Sequence, residues 1–303
     1  MKRAGVYAVV ITFQPDLLSL RQLLLACLPQ VAGLVVVDNG SGALIQASLH
    51  RQCADSQFEV LALDGNVGVA AAQNKGIAWA RQRGCSHVLF FDQDSVPAPD
   101  MVARLMAGLN CSSSSNLLIA AVGPRLVDRR TGSSTPFVHF GALGVTRKTF
   151  EKGVAGQSVE TDFLVSSGML IPLAVLDQVG QLEEGLFIDN VDLEWCFRAR
   201  SIGFCLLGVN DAVMQHSVGD RVIEWRGHVI YLHQPSRQYY IMRNRILLYQ
   251  RSYTPWNWII QDSARMLFKL MAFSLFVAPR GKNFLMMIKG IRDGLTGNIG
   301  KLL

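Results

Sequence analysis

One repeating feature limits the fold more than any other. Over the first hundred residues, short β-branched runs that end in polar residues alternate with stretches of helical spacing. The runs Val6–Thr12, Leu34–Asp38, Phe58–Leu63 and His87–Phe91 read as strands. Between them, Leu17–Leu28 and Val69–Arg83 set apolar residues at helical intervals, the second stopping at Gly84. Strands alternating with helices build an α/β domain around a parallel sheet. In such sheets ligands lie beyond the carboxyl ends of the strands, where backbone amides and helix amino termini point outward. Those ends carry Thr12, Asp38-Asn39-Gly40, Asp64-Gly65-Asn66 and Asp92-Gln93-Asp94, so polar side chains gather where a nucleotide would lie.

Half of the 303 residues are hydrophobic, enough for a sizeable core and too many for a disordered chain. The net charge of +6 suits nucleic acid, an anionic membrane surface or an anionic substrate, and does not choose among them. Six cysteines without a C-x-x-C pair sit among apolar neighbours and read as reduced core residues of a cytosolic protein. The basic, then apolar, amino terminus imitates a signal peptide but is cut short at Gln14-Pro15-Asp16. Late in the chain Gln261, Asp262, Arg265 and Lys269 interrupt the apolar stretch from Trp256 to Val277, so no transmembrane helix is expected.

Beyond residue 110 come a Ser-rich turn, strand-like runs to Pro172, a helix near Val191–Ile202 and two short strands, Phe204–Leu207 and Ala212–Gln215. From Pro235 onward the pattern is helical and reads as an appended element rather than a second core.

Two constellations carry chemistry. In Phe90-Phe91-Asp92-Gln93-Asp94-Ser95, carboxylates at i and i+2 leave a strand and can turn toward one divalent cation; oxygen ligation suits Mg²⁺ or Mn²⁺ bridging a diphosphate. The same residues would also serve as turn formers ahead of Pro97 and Pro99. The second is Asp189-Asn190-Val191-Asp192-Leu193-Glu194-Trp195 with Arg198, an acidic helix start containing an i,i+4 pair. Asp38 can accept from a base or ribose, and Gly65-Asn66-Val67-Gly68 through Asn74-Lys75-Gly76 opens a helix with residues small enough to let a donor approach.

The ordered runs VVITFQP, VVVDNGSG, GNVGVAAAQNKG, FFDQDS, SSGMLI, LFIDNVDLEWCFRAR and QYYIMRNR resemble glycosyltransferase family 2, and within it the bacterial rhamnosyltransferases that build rhamnolipids and lipopolysaccharide. The resemblance spans Val6 to Arg251. It implies a GT-A, Rossmann-like fold with a C-terminal helical extension. The catalytic domain would be residues 1–234, with a donor half to about 110 and an acceptor half from about 111, followed by a helical element at 235–303. Family members carry Arg six residues after the catalytic Asp. Counting back from Arg198 makes Asp192 the general base, with Glu194 as the pattern's second acid. Val191 stands where the family has an acid, which leaves Asp189 as a possible stand-in.

By the same resemblance Thr12, Asp38, Asn66, Gly68, Asn74, Asp92, Gln93 and Asp94 are expected at the donor, and Asp94, Asp92 and His216 at the metal. Ser167, Gly168, Asp189, Glu194, Arg198 and Arg243 are expected to meet the acceptor or support the site. The expected reaction moves L-rhamnose, with inversion, from dTDP-β-L-rhamnose to a lipopolysaccharide, polysaccharide or glycolipid acceptor. A retaining mechanism would need a second carboxylate on the opposite face of the sugar, and the sequence offers no candidate. The alternatives are another nucleotide sugar, a metal-dependent nucleotidyltransferase, or a silent binding protein. A nucleotidyltransferase wants a basic Gly-rich loop where this chain has Thr12-Phe13-Gln14-Pro15. The tail mixes Lys269, Arg280, Lys282, Lys289 and Arg292 with Phe, Leu and Met. That mixture suits a peripheral position on the inner face of the cytoplasmic membrane, or packing on the catalytic domain or a homodimer partner. No nucleic-acid partner is expected.

Overall fold

The structure is a computed structural model that describes residues 3–54, 58–112, 117–129, 132–142, 144–148, 150, 156–216, 221–225, 228–232 and 234–302. The chain runs β1 (Arg3–Thr12), α1 (Leu17–Cys27), β2 (Val31–Asp38), α2 (Ala43–Ala54), β3 (Glu59–Ala62), α3 (Val69–Gln82) and β4 (His87–Asp92). It continues through β5 (Val96–Pro97), α4 (Met101–Ser112), β6 (Ile119–Asp128), β7 (Phe137–Gly141), β8 (Gly144–Lys148), β9 (Ser158–Thr161), β10 (Leu170–Pro172), α5 (Leu173–Val179) and α6 (Val191–Ser201). Last come β11 (Cys205–His216), β12 (Arg221–Trp225), β13 (His228–Leu232), α7 (Pro235–Tyr249), α8 (Trp256–Phe276) and α9 (Arg280–Leu295).

The main sheet runs β3-β2-β1-β4-β10-β6-β11-β5, with β9 also on β11. Its first four strands are parallel, and their register sets Thr12 opposite Asp38 and Ile11 opposite Asp92. All of the polar strand ends therefore fall along one edge. β10 is the antiparallel seam between β4 and β6.

Both faces of this sheet are covered, which is why the strands are hydrophobic at nearly every position. Val6, Ala8, Val10, Leu34, Val36 and Phe91 face α1 and α4, while Val9, Ile11, Val35, Val37 and Phe90 face Ile77, Trp79, Trp195 and Phe197. The two strands expected within 204–215 are one, β11. Its pairing with β6 slips between Val209 and Val213, so the polar Asn210-Asp211, which falls between the two expected strands, is an irregularity within a continuous strand. Asn210 is held there by its N–H on the Gln157 carbonyl at 3.0 Å and by Arg125 on its own carbonyl at 3.3 Å.

Helices α7 and α9 pack on each other, and Leu247, Leu248 and Trp258 join the larger core, so the last helices share the core with the sheet. Among the described residues, no helix is long and apolar enough to cross a membrane. Cys27, Cys85 and Cys196 are buried and Cys205 is partly so, all without a disulfide; the side chains of Cys53 and Cys111 lie outside the described residues.

Candidate active site

The strand edge is organised by a web of short polar contacts. Thr12 Oγ1 donates to Asp38 Oδ1 at 3.1 Å, and Asp38 also receives the Ser41 N–H at 3.0 Å, the Ser41 hydroxyl and the Gln46 amide at 3.2 Å. Thr12 and Asp38, expected to touch the donor, are both fully buried. Their oxygens are spent on one another and on the next turn, so they form the floor of the site rather than its surface. Asn39, one of the polar residues at the end of β2, joins two strand ends: its side-chain amide donates to Asn66 Oδ1 at 3.2 Å, and its Oδ1 accepts the Val67 N–H at 2.9 Å. Asn66 Oδ1 also takes the Gly68 N–H at 3.0 Å.

Gly68 has φ +93°, and a Cβ there would lie 2.7 Å from the Phe187 carbonyl oxygen. Only glycine fits without strain. Next to it, the Val69 N–H donates to that same oxygen at 2.6 Å, which docks the start of α3 on the segment leading to α6. Asn74 binds the same region from inside: its amide reaches the Leu182 carbonyl at 2.9 Å and Glu184 Oε1 at 2.8 Å, and its oxygen takes the Leu182 N–H. It is buried and engaged, so its role is to fasten α3 to that segment.

Asp92, Gln93 and Asp94 form the partly exposed loop after β4. Gln93 Oε1 accepts the Phe13 N–H at 2.8 Å and ties this loop to the end of β1. Two consecutive residues then join the loop to the second acidic cluster. Ser167 Oγ accepts the Asp92 N–H at 3.0 Å and shares a 2.7 Å hydrogen bond with Ser95, while the Ser166 N–H donates to Asp192 Oδ2 at 3.2 Å. Gly168, at φ +84°, lets the turn lie against Pro124 and sends its N–H to the Phe90 carbonyl at 2.7 Å.

Asp192 occupies the first turn of α6 and also accepts the Leu193 N–H at 2.9 Å. Burial raises its carboxyl to about 6, with the nearby Asp92 charge adding to the rise and the two amides opposing it. A carboxylate tuned into that range is suited to take a proton near neutral pH. The turn before it is strained, since Phe187, Asp189 and Asn190 have φ of +64°, +65° and +61°.

The other acids of this cluster are occupied. Asp189, the possible stand-in for the family's acid at Val191, forms a bidentate pair with Arg237 at 3.0–3.2 Å. Glu194 is 1% exposed and accepts from Arg198 at 2.8 Å and from the Tyr253 hydroxyl at 2.6 Å. Arg198 continues to the Val179 and Gln181 carbonyls. Arg243, expected near the acceptor, is buried under Tyr239 and Tyr240 and donates to the carbonyls of Gly185, Leu186 and Gly300. Glu194, Arg198 and Arg243 thus spend their polar atoms on holding the surrounding segments together.

Among the described residues, no three metal-ligating side chains gather. His216 ends β11 opposite Asp128, and its side chain lies outside the described residues. The donor set nevertheless fits a hard cation. Asp92 and Asp94 offer oxygens on one loop, the Asp92 charge is felt by Asp192, and such cations complete their shells with waters and substrate phosphate.

The family model for glycosyl transferase family 2 matches residues 8–152, across the strands that end in Asp38 and Asp92. A dTDP-rhamnosyl transferase, RfbF of Shigella flexneri, is 31% identical over 97% of each chain. The low-salt glycan biosynthesis hexosyltransferase Agl10 of Haloferax volcanii is 27% identical over 58% of this chain and 57% of its own. Among solved structures, GalNAc-T7 with UDP, GalNAc and Mn²⁺ superposes with a TM-score of 0.61 at 11% identity, covering 96% of this chain and 56% of that one. Residues 1–349 of S. aureus TarS with UDP-GlcNAc give 0.61 at 14%, covering 97% and 81%. The fold is thus GT-A with C-terminal helices, as expected. Because the likeness to RfbF runs the whole length of both chains and the family model lies on the strands that carry the site, the chain belongs to glycosyltransferase family 2.

Proposed function

We propose that the protein transfers L-rhamnose from dTDP-β-L-rhamnose to a saccharide or lipid-linked acceptor of a surface polysaccharide, with inversion at the anomeric carbon. The observation that carries this is the Ser166-Ser167 bridge, which fixes Asp192 beside the Asp92–Asp94 loop. Asp192 removes the acceptor hydroxyl's proton as that oxygen bonds to the anomeric carbon. The bond to the departing diphosphate oxygen breaks on the opposite face, and its electron pair leaves with dTDP. A Mg²⁺ or Mn²⁺ ion held by Asp94 and Asp92 would neutralise the diphosphate's charge. Phe13 and Val67, both 43% exposed at the strand edge, offer apolar surface to a base. Beside Ser167, a mostly apolar cavity of about 150 Å³ lined by Pro124, Phe137, Phe163 and Leu164 supplies the wall that a 6-deoxy sugar needs. The donor itself is taken from the likeness to the Shigella enzyme.

On the far side of the C-terminal helices, Trp256, Ile260, Leu267, Met271 and Leu275 make an exposed stripe along α8, continued by Phe284, Leu285 and Ile288 on α9. Exposed Arg265, Arg280, Lys282, Lys289 and Arg292 border it. An apolar stripe edged with cations complements an anionic lipid surface, and the enzyme works there on the cytoplasmic face. Release of nucleoside diphosphate from dTDP-rhamnose, UDP-glucose and UDP-galactose, measured side by side, tests the donor. Faster consumption of either UDP-sugar rejects it.

A further inference from the structure

Lys269 reads in the sequence as one of the tail's surface cations, yet it lies on the inward stripe of α8, seven residues after Asp262 and four before the buried Phe273, over whose ring its Nζ sits at 5.2 Å. Burial first, then the charge of Arg245, pushes its ammonium down to about 8, while Asp189 and Asp262 partly offset this. Around it, Arg237 pairs with Asp189 at 3.0 Å and Arg245 with Asp262 at 3.2 Å. Three cations therefore face two carboxylates, and among the described residues Lys269 has no carboxylate within ion-pair distance.

Polar groups next in sequence to the Arg237–Asp189 pair are buried without partners. Gln238, on α7 next to Arg237 and two turns before Arg245, is fully buried with neither amide atom hydrogen-bonded. Arg245 Nη1 and Asn190 Nδ2 are also buried without an acceptor. Arg245 Nη1, Gln238 Nε2 and Asn190 Nδ2 are three buried donors without acceptors, against one spare acceptor among the same groups, Gln238 Oε1, and the Lys269 ammonium adds an uncompensated cation. A water can accept from these donors but brings two hydrogens that need acceptors of their own, and it leaves the excess positive charge unchanged. An oxyanion, which only accepts and brings negative charge, answers both. Asn190 lies two residues before Asp192, so a group held here belongs to the acceptor side of the site.

We infer that Lys269, Arg245, Gln238 and Asn190 bind a phosphate or diphosphate group carried by the acceptor. This rests on the reading of Asp192 as the base. The cluster lies between α7 and α8, on the inner side of the helix whose outer stripe meets the lipid surface, so an acceptor anchored in that surface would pass its phosphate end between the two helices.

The test is calorimetric titration of the whole enzyme with inorganic pyrophosphate, with the donor site already filled by Mg²⁺ and excess dTDP. One pyrophosphate should bind per chain. Lys269→Met and Gln238→Leu should each weaken it about tenfold or more, the scale of one charge-assisted or buried hydrogen bond. Gln238→Leu should not lower the melting temperature, because it removes a buried amide that the protein itself leaves unmet. A merely structural role would show the reverse, with loss of stability and unchanged binding. No pyrophosphate bound by the wild type, or unchanged binding in both variants, would overturn the proposal. So would loss of binding to phosphatidylglycerol vesicles with pyrophosphate binding intact, since the cluster would then read bulk lipid headgroups. Full transfer by Asp192→Asn, with pyrophosphate binding still dependent on Lys269, would reject the base and leave the anion site standing.

Discussion

Replacing Asp192 by Asn should make the enzyme slower and more stable at the same time. The folded carboxyl is raised from 3.8 to about 6, a shift of about two units. At about 1.4 kcal/mol per unit, the ionised group costs the native state about 3 kcal/mol at neutral pH. Because the folded value lies above the unfolded one, this cost is absent below about pH 4, grows as pH rises from 4 to 6, and is complete above 6. Asn escapes it but has one oxygen where Asp192 uses two, on Ser166 and Leu193, and losing one such bond costs about 1 kcal/mol. The net gain is about 2 kcal/mol, or roughly 3 °C in melting temperature for a chain of this length. Turnover should fall by about 10²-fold or more, and the acid limb of kcat/KM near pH 6 should vanish with it. Thermal melts at pH 4 and pH 7.5 beside a pH–rate profile read all three effects. A melting difference equal at both pH values would show that the carboxyl is not desolvated. Near-wild-type turnover would take the proton transfer away from Asp192.

Chelation should abolish transfer and Mg²⁺ or Mn²⁺ restore it, while Asp94→Ala should not recover at any metal concentration; full activity in excess EDTA would remove the cation from the reaction. Gly68→Ala should raise the donor KM severalfold and lower the melting temperature, because the added carbon meets the Phe187 backbone at a positive φ; unchanged donor kinetics would mean that the α3 amino terminus does not help hold the donor. Charge reversal at Lys282, Lys289 and Arg292 should weaken sedimentation with anionic vesicles, and high salt should release the wild type. Vesicle binding insensitive to both would exclude an electrostatic surface contact, and no binding accompanied by a stable dimer in sedimentation would assign the α8–α9 stripe to a second copy.

The order β1, α1, β2, β3, α3, β4 was legible because buried parallel strands and the helices that cover them leave strong local periodicities. Asp92 and Asp94 stood out for a related reason, since they stand where the hydrophobic pattern of β4 stops, whereas Asp192 was singled out by the resemblance to family 2 and its spacing from Arg198. What a side chain does there is not a local property. Thr12 and Asp38 look alike with Asp92 at the ends of neighbouring strands, and the packing of Ser41 and Gln46 buries Asp38 while the Asp92 loop is partly exposed. Asn74 and Arg243 carry the right chemistry for binding, but backbone carbonyls more than fifty residues away claim it. Lys269 sits in a stretch whose composition is that of a surface, and the rotation of α8 against α7 turns it inward among Arg245, Asp189 and Asp262. The sequence by itself thus determined the sheet, its helices and the line of polar residues along one edge, since these depend on neighbours a few positions apart. Contacts across 25 to 110 residues of chain decided which of those residues face solvent, which are buried as supports, and where the Asp192 proton equilibrium lies, because burial and distant charge set these and neither is written in local spacing.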